Sequence, residues 1–340
     1  MTRPHWPRWM PVDPYILLLL GTVGLAALLP ARGTAADVAS GASTAAIAFL
    51  FFLYGARLST HEALAGLRHW RLHTTVLACT FVIFPLLGLA ARGLVPVLLT
   101  HNLATGLLFL TLVPSTIQSS IAFTSIARGN VPAAICAGSF SSLAGIVLTP
   151  LLAALLLGSG GGGFSADSIV KIVLQLLVPF LAGQLLRRWI GGFVTRHRKV
   201  LGLVDRGSIL LVVYSAFSEG MVQGIWHQVS PLRLGGLVVV EAALLAVMLA
   251  LTWYGGRALG FGREDRIAIQ FAGSKKSLAS GLPMASVLFG AHASLAVLPL
   301  MLFHQMQLMV CAVIAKRRAH DARQRDEVRR GRLTGDNVPS

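Results

Sequence analysis

Two neighbouring lysines stand in a stretch that is otherwise built of apolar and small residues. They are Lys275 and Lys276, in the sequence QFAGSKKSLASGLP from Gln270 to Pro283. An ammonium group at the centre of a membrane-spanning helix costs at least about 2.5–3.5 kcal/mol, so two adjacent ones are hard to carry without a role. The pattern favours an ion or substrate site. The alternative is that one lysine extends along its helix to the membrane interface.

A second polar stretch is LVPSTIQSSIAFTSIARGN, from Leu112 to Asn130. Both stretches combine proline or glycine with hydroxyl side chains, and such a composition interrupts a membrane helix and frees backbone groups to bind ions or substrate. The predicted substrate or ion site consists of Ser115, Thr116, Gln118, Ser119, Ser120, Thr124, Ser274, Lys275, Lys276 and Ser277. Hydroxyl residues also pack helix against helix in membranes, which is the alternative for any single serine.

The acidic residues expected inside the membrane are few. Glu219 and Glu241 are the candidates to pair with a lysine or to relay a proton, and the alternative is a structural ion pair near the interface. His304, Gln305 and Gln307 in the last apolar stretch are expected to line the same cavity, although helix packing is a common role for such a histidine.

The composition predicts an all-α polytopic membrane protein. Of 340 residues, 55% are hydrophobic and 12% are charged, and the mean hydropathy is +0.71, which is more apolar surface than a soluble globule of this size can bury. The chain has no HExxH, Walker or GxSxG motif, so no enzyme is predicted. Its three cysteines have no metal-ligand spacing, and neither a metal site nor another cofactor is predicted.

Hydropathy and charge together predict the number and orientation of the helices. The ten predicted helices cover residues 14–31, 42–58, 74–92, 103–127, 130–157, 167–187, 204–226, 234–256, 265–290 and 294–315. Most lysines and arginines of the +16 net charge fall in alternate loops and in the tail, which predicts that both termini are cytoplasmic. This distribution explains the charge better than nucleic-acid binding. The composition favours a bacterial inner membrane.

A glycine-rich linker at residues 158–166 divides the chain into two halves of five helices each, 14–157 and 167–315. An odd number of helices per half gives the second half the opposite orientation, so the sequence predicts an inverted repeat with discontinuous fourth and ninth helices. Residues 1–13 are expected to be a cytoplasmic N-terminus. Residues 316–340 form a basic cytoplasmic tail whose polarity predicts disorder.

Four sequence blocks carry a resemblance to a known family. They are FFLYGARLS (Phe51 to Ser59), FVIFPLLGL (Phe81 to Leu89), VPSTIQSSIAFTSIARGN (Val113 to Asn130) and GSKKSLASGLPMA (Gly273 to Ala285). In these blocks the chain resembles the bile acid:sodium symporter superfamily, solute carrier family 10, in the bacterial branch related to its seventh human member. The resemblance covers about residues 15 to 315. It implies ten helices in a panel domain and a core domain, with two discontinuous helices that cross in the core.

The resemblance also implies two sodium sites near that crossing, but the expected ligands match only in part. The serine beside the break falls on Ser120, whereas the asparagine after it falls on Ile121 and a glutamine of the third helix on Thr80. The acidic and glutamine ligands of the ninth helix fall near Phe271 and Lys275. These departures put sodium coupling in doubt.

An ammonium group at a cation site can supply the positive charge without the ion. We therefore expect Lys275 or Lys276 to occupy the vacated ion site, held by the side chains of Ser115, Gln118, Ser119 and Ser120. In a proton-coupled version the lysine itself would titrate. The coupling ion, if there is one, is then Na⁺ or H⁺.

The predicted function is secondary-active transport, by alternating access, of an organic anion that is bile-acid-like or otherwise amphipathic. The alternative is a membrane regulator of ion (calcium) homeostasis that acts through partners. An ion channel is a third possibility, and no ring-forming acidic motif supports it. The expected partners are a small-molecule substrate and the lipid bilayer, with no nucleic acid. The sequence leaves the oligomeric state open.

Overall fold

The computed structural model describes residues 14–57, 69–157, 166–222, 224, 230–290 and 293–335. Every regular element in this part of the chain is a helix, as expected for a lipid environment in which each segment must satisfy its own backbone hydrogen bonds. The α-helices in chain order are α1 (Pro14–Leu28), α2 (Thr34–Arg57), α3 (Trp70–Ala78), α4 (Phe84–Ala91), α5 (His101–Leu112), α6 (Ile117–Ile126), α7 (Val131–Leu157), α8 (Ala166–Arg196), α9 (Arg198–Val222), α10 (Pro231–Ala258), α11 (Arg263–Gly273), α12 (Leu278–Phe289) and α13 (Ala293–Gly335). A π-helical turn, Cys79–Ile83, joins α3 to α4.

The chain is a multi-pass membrane protein. Within the described residues, six helices are long and apolar enough to cross a membrane, and a seventh crosses if α5 and α6 form one span bent by 65° at their break. Each of the ten predicted ranges overlaps at least one helix of the described residues. The remaining segments are shorter or carry more charge, so the count of ten spans stays a prediction.

Several helices extend beyond the ranges predicted for them. Helix α2 begins at Thr34, and α8 continues to Arg196. The predicted disorder of the tail is wrong up to Gly335, where α13 ends. Alanine, arginine, glutamine and glutamate are strong helix formers, and in the tail their propensity outweighs the polarity that suggested disorder.

Two predicted segments cannot be compared in full with the structure. Residues 1–13, the predicted N-terminal segment, lie outside the described residues. So does the predicted glycine-rich linker at 158–166, except for Ala166, where α8 begins. The division into two five-helix halves therefore stays a prediction.

The helices pack in two groups. Helices α1, α2, α8 and α9 form a four-helix group, in which α2 packs along α8 and against α9. The other helices form a second group around the two breaks, with α5 packed on α13, α6 on α7 and α10 on α11. We call this second set the crossing group. Gly55 and Gly183 allow α2 and α8 to approach closely, because a methyl group on either would overlap a main-chain carbonyl of the other helix.

Candidate functional site

Two helix breaks meet at the centre of the crossing group. Pro114 follows the end of α5 and forces Val113 into an extended conformation, with φ of −73° and ψ of 154°. The second break lies between α11 and α12, where the Ser277 amide donates to the Pro114 carbonyl at 2.8 Å. The sequence prediction of two interrupted helices is thus matched by two breaks that touch each other.

Two serines of the first break cap the helix that leads to the second. The Ser115 hydroxyl donates to the Ala272 carbonyl, and the Ser120 hydroxyl donates to the Phe271 carbonyl at 2.9 Å. Ser141 on α7 accepts from the Ser115 amide at 2.9 Å. Since the last carbonyls of α11 have no partner within the helix, these serines satisfy groups that the break exposes.

The Lys276 ammonium is enclosed by main-chain carbonyls. Its Nζ donates to the oxygens of Thr80 at 2.8 Å, Thr111 at 2.7 Å and Val113 at 2.9 Å, and the side chain is fully buried. Three acceptors use all three protons of an ammonium group. We call these three oxygens the carbonyl cage. The Phe84 ring lies 4.3 Å from the Nζ and adds a cation–π contact.

Local sequence explains why the cage carbonyls are free. Thr111 and Val113 stand at the C-terminal end of α5, where carbonyls lack helical partners and the helix dipole is negative. In the π-helical turn, the Phe84 amide donates to the Cys79 carbonyl, and Pro85 has no N–H to offer Thr80. The cage therefore depends on two proline-associated irregularities.

Lys275 has a different environment. Its Nζ donates to the Ser119 hydroxyl at 3.0 Å and lies 4.5 Å from the Phe123 ring and 5.7 Å from the Phe271 ring. Ser119 was among the predicted holders of a lysine, and it contacts Lys275. The Lys276 ammonium differs, because main-chain oxygens at the helix breaks accept its hydrogen bonds.

The backbone of Lys276 is held by the amide of Gln307. The Lys276 amide donates to Gln307 Oε1 at 2.8 Å, and Gln307 Nε2 donates to the Lys276 carbonyl at 2.8 Å. His304 lies near the same carbonyl and lines the adjacent cavity, as predicted. Gln305 Oε1 is buried without a hydrogen-bond partner and does not line that cavity. The two hydrogen bonds from Gln307 hold the non-helical segment of the second break in place.

A cavity of about 1010 Å³ lies between the crossing and the four-helix group. At the crossing its wall includes Thr116, Gln118, Ser119 and Ser277. This volume is at the upper end of the range in which proteins bind drug-sized ligands. Phe51, Phe180 and Ile146 are among the apolar residues of the remaining wall.

The four-helix side of the cavity carries charge that the sequence prediction did not include. Arg57 on α2 forms an ion pair with Asp205 on α9, and both line the cavity together with Lys199 and Arg206. Arg57 Nη2 and Asp205 Oδ1 are buried and have no hydrogen-bond partner. Their opposite charges at facing ends of the second and seventh predicted helices are the only sequence signal of this pair.

The remaining predicted site residues bond to helix ends or have no partner among the described residues, and Ser277 both lines the cavity and caps a helix. Ser274 donates to the Gln270 carbonyl, Ser277 accepts from the Ser280 amide as the cap of α12, and Thr124 is buried with an unpaired hydroxyl. Glu241 is buried with both carboxylate oxygens unpaired, whereas Glu219 is exposed. Among the described residues, neither glutamate forms an ion pair with a lysine.

Comparisons with known proteins give this geometry a context. The profile of the SBF-like CPA transporter family matches residues 13–320. An uncharacterized protein of Pseudomonas aeruginosa is 57% identical over 94% of this chain and 96% of its own length. The "Putative symporter YfeH" of Escherichia coli K12 is 50% identical, over 90% of this chain and 92% of its own. The "Sodium/bile acid cotransporter 7" of Danio rerio is 29% identical, over 79% and 81%. The alternative of a regulator acting through partners gains no support from these relatives.

Proposed function

Since the chain belongs to the SBF-like CPA transporter family, within the bile acid:sodium symporter superfamily, we propose that it carries an amphipathic organic anion across the membrane by alternating access. The observation that carries the proposal is the contact between two broken helices beside a cavity of about 1010 Å³. Helix breaks at the middle of a membrane protein supply the free backbone groups that transporters use for binding.

The charge of the cavity supports an anionic substrate. Arg57, Lys199 and Arg206 contribute three positive charges to the wall, against the one negative charge of Asp205. Such an excess attracts anions and disfavours cations. The aromatic and aliphatic part of the wall suits an amphipathic body, and the name of the Danio rerio relative suggests bile acids as the first class to test.

The arrangement of helices supports the predicted inverted repeat. In our proposal, residues 14–157 and 167–315 are two halves of five spans with opposite orientation, and each break lies in the fourth span of its half. The four-helix group then serves as the panel domain and the crossing group as the moving core. The arginine-rich ends face the cytoplasm by the positive-inside rule, and bacterial relatives favour an inner membrane.

Lys276 takes the place of a coupling sodium ion in this proposal. The carbonyl cage offers oxygen ligands of the kind that bind hard cations, and the ammonium group already occupies it. The site then stays positively charged throughout the cycle and needs no sodium for occupancy.

We expect the thermal unfolding midpoint of the purified protein to be the same in sodium chloride and potassium chloride at matched ionic strength. A sodium site at one hundred times its Kd would add about 2.7 kcal/mol to the free energy of unfolding, a shift that is easy to measure. A sodium-specific rise that saturates would contradict the proposed replacement of sodium by Lys276.

We expect Arg57→Gln to weaken substrate binding more than a substitution of its ion-pair partner, Asp205, does. A hydrogen bond to a charged group contributes about 1.5–3 kcal/mol, so the half-saturating concentration should rise about 10- to 100-fold. The measurement is uptake of radiolabelled taurocholate into proteoliposomes over a range of concentrations.

Asp205→Asn is the matched control for Arg57→Gln. It removes the competing carboxylate and leaves the Arg57 guanidinium in the wall, so the half-saturating concentration should stay the same or fall. Equal losses in both variants would mean that the ion pair is structural. Absence of saturable uptake by the unmodified protein, under every ion gradient applied, would overturn transport of this class of anion.

A further inference from the structure

The two lysines of the crossing differ in the acceptors around them. Lys276 Nζ has three carbonyl acceptors, and a carbonyl cannot donate a hydrogen bond. A neutral amine has only two N–H groups, so the cage is matched to the ammonium form. In the described part of the chain, Lys275 Nζ has one hydrogen-bond partner, the Ser119 hydroxyl, which can accept or donate. Lys275 can therefore bind and release a proton without leaving a buried carbonyl unpaired.

A short path of hydroxyl groups connects Lys275 to the cavity. Lys275 Nζ donates to Ser119 Oγ at 3.0 Å, and Ser119 Oγ donates to Thr116 Oγ1 at 3.3 Å. Lys275 itself is fully buried, whereas Ser119 and Thr116 both line the cavity. The donors point in one direction, from the nitrogen to the cavity.

We propose that Lys275 is the proton-binding residue of the transport cycle and exchanges its proton with the cavity through Ser119 and Thr116, so that the coupling ion is H⁺. The proposal rests on the proposed transport function and names its coupling ion.

The proton reaches the cavity in three transfers. One Nζ–H bond of Lys275 breaks and leaves its electron pair on nitrogen, and the proton joins Ser119 Oγ. Ser119 passes its own proton to Thr116 Oγ1, which passes its own to a water molecule in the cavity. The net change converts one ammonium and one water into one amine and one hydronium ion, and the reverse sequence reloads the lysine.

The surrounding charges connect this proton to the substrate. An anion bound against Ser119 would favour the ammonium form of Lys275. Because such coupling is reciprocal, a proton on Lys275 tightens anion binding by the same factor. A monoanion and a proton then move together without net charge.

The other charged and titratable groups near this path are known from the packing. The buried thiol of Cys311 on α13 is a titratable group beside Lys275, and the rings of Phe123 and Phe271 lie 4.5 Å and 5.7 Å from Lys275 Nζ. The charged and titratable groups that line the cavity are Tyr54, Arg57, Lys199, Asp205, Arg206 and His304. Asp205 pairs with Arg57, and Lys275, which is buried behind the wall, connects to the cavity through Ser119 and Thr116.

The protonation of Lys275 can be observed without a known substrate. The chain contains five lysines, so labelling with ¹⁵Nζ-lysine gives five side-chain signals in nitrogen-detected NMR of the full chain in nanodiscs. Lys275→Gln and Lys276→Gln assign two of them, and exposed Lys316 serves as the reference. Between pH of roughly 6 and 10 the Lys275 signal should move from the ammonium to the amine position, while the Lys276 signal stays at the ammonium position.

Transport provides the second readout. In proteoliposomes with an inward proton gradient, the accumulation of taurocholate should rise up to about tenfold per pH unit for one proton per anion. Taurocholate is suitable because its sulfonate stays ionised and does not carry protons through the lipid. In Lys275→Gln the accumulation should be the same with and without the gradient, and Ser119→Ala should slow the response.

The outcomes separate this inference from the proposed function. A Lys275 signal that stays at the ammonium position across the pH range would overturn the inference, and so would a gradient response that survives in Lys275→Gln. Titration of Lys275 together with a gradient response that needs Lys275 would support it. Absence of saturable uptake by the unmodified protein would count against the proposed function, while the NMR signal still decides whether Lys275 titrates.

Discussion

Replacement of Lys276 by alanine is expected to abolish taurocholate uptake and to lower the free energy of unfolding by about 3–5 kcal/mol. The change removes the shared partner of three buried carbonyls, at Thr80, Thr111 and Val113. These oxygens stand at a helix end and in a π-helical turn, so no neighbouring amide takes the place of the ammonium. The measurement combines thermal unfolding in detergent with uptake into proteoliposomes.

The same variant should respond to small cations, because alanine leaves a space lined by the carbonyl cage. Methylammonium or ammonium ions in the buffer should raise the unfolding midpoint of Lys276→Ala in a saturable way, and sodium or potassium should compete for the space. Uptake should return in part under the same conditions. Without added cation, the unfolding midpoint of Lys276→Ala should be lower than with any of these cations.

Lys275→Ala is the matched control, since it removes an adjacent residue of the same type. The Lys275→Ala variant loses one hydrogen bond, to the Ser119 hydroxyl, which also contacts Thr116. It should therefore lower the free energy of unfolding less than Lys276→Ala does. Methylammonium should leave its midpoint unchanged. If Lys276→Ala proved as stable as Lys275→Ala and insensitive to methylammonium, the carbonyl cage would not be a cation site.

The sequence predicts part of this site. A charge inside the membrane is costly, so two lysines within an apolar stretch, Lys275 and Lys276, stand out. Proline and hydroxyl residues also predict the two breaks, which the structure brings into contact at Pro114 and Ser277. The acceptors of Lys276 are main-chain carbonyls, however. Every residue has such a group, so the residue types do not show which carbonyls are free. The available signal was Pro85, which removes an amide and frees the carbonyl of Thr80.

Charged residues at helix ends were harder to interpret. Arg57 and Asp205 lie at the ends of predicted helices, where a positive residue is expected from topology, so nothing in the sequence distinguished a cavity ion pair from a loop charge. The tail was misjudged for a related reason. Its residues are polar and suggest disorder, yet the same residue types favour the helix that α13 continues to Gly335.

Gly183→Ala is expected to cause the second large loss, at a distance from the breaks. A methyl group at Gly183 on α8 would overlap the carbonyl of Phe52 on α2, and one at Gly55 would overlap the carbonyl of Phe180 on α8. Helices in lipid associate through close contact of small residues, since no hydrophobic effect drives apolar faces together there. Overpacking of a tight contact costs about 1–3 kcal/mol, and here the opposing atoms are backbone atoms that cannot rotate away.

Function should fail together with stability, because the α2–α8 contact positions one wall of the cavity. Arg57 and Phe51 on α2 and Phe180 on α8 all line that wall, so helices forced apart would displace the proposed anion partner from the crossing. The measurements are the unfolding midpoint and the half-saturating concentration for taurocholate. We expect the midpoint to fall and the half-saturating concentration to rise.

Gly192→Ala on the same helix is the control that isolates this contact. Among the described residues, no atom outside its own helical turn lies within 4 Å of a methyl group at Gly192, so the variant gains only the helix propensity of alanine, about 0.5–1 kcal/mol. Its midpoint should therefore hold or rise while that of Gly183→Ala falls. Equal unfolding midpoints for the two variants would mean that α2 and α8 separate at little cost. A four-helix group that deforms so easily could not serve as the fixed partner of a moving core.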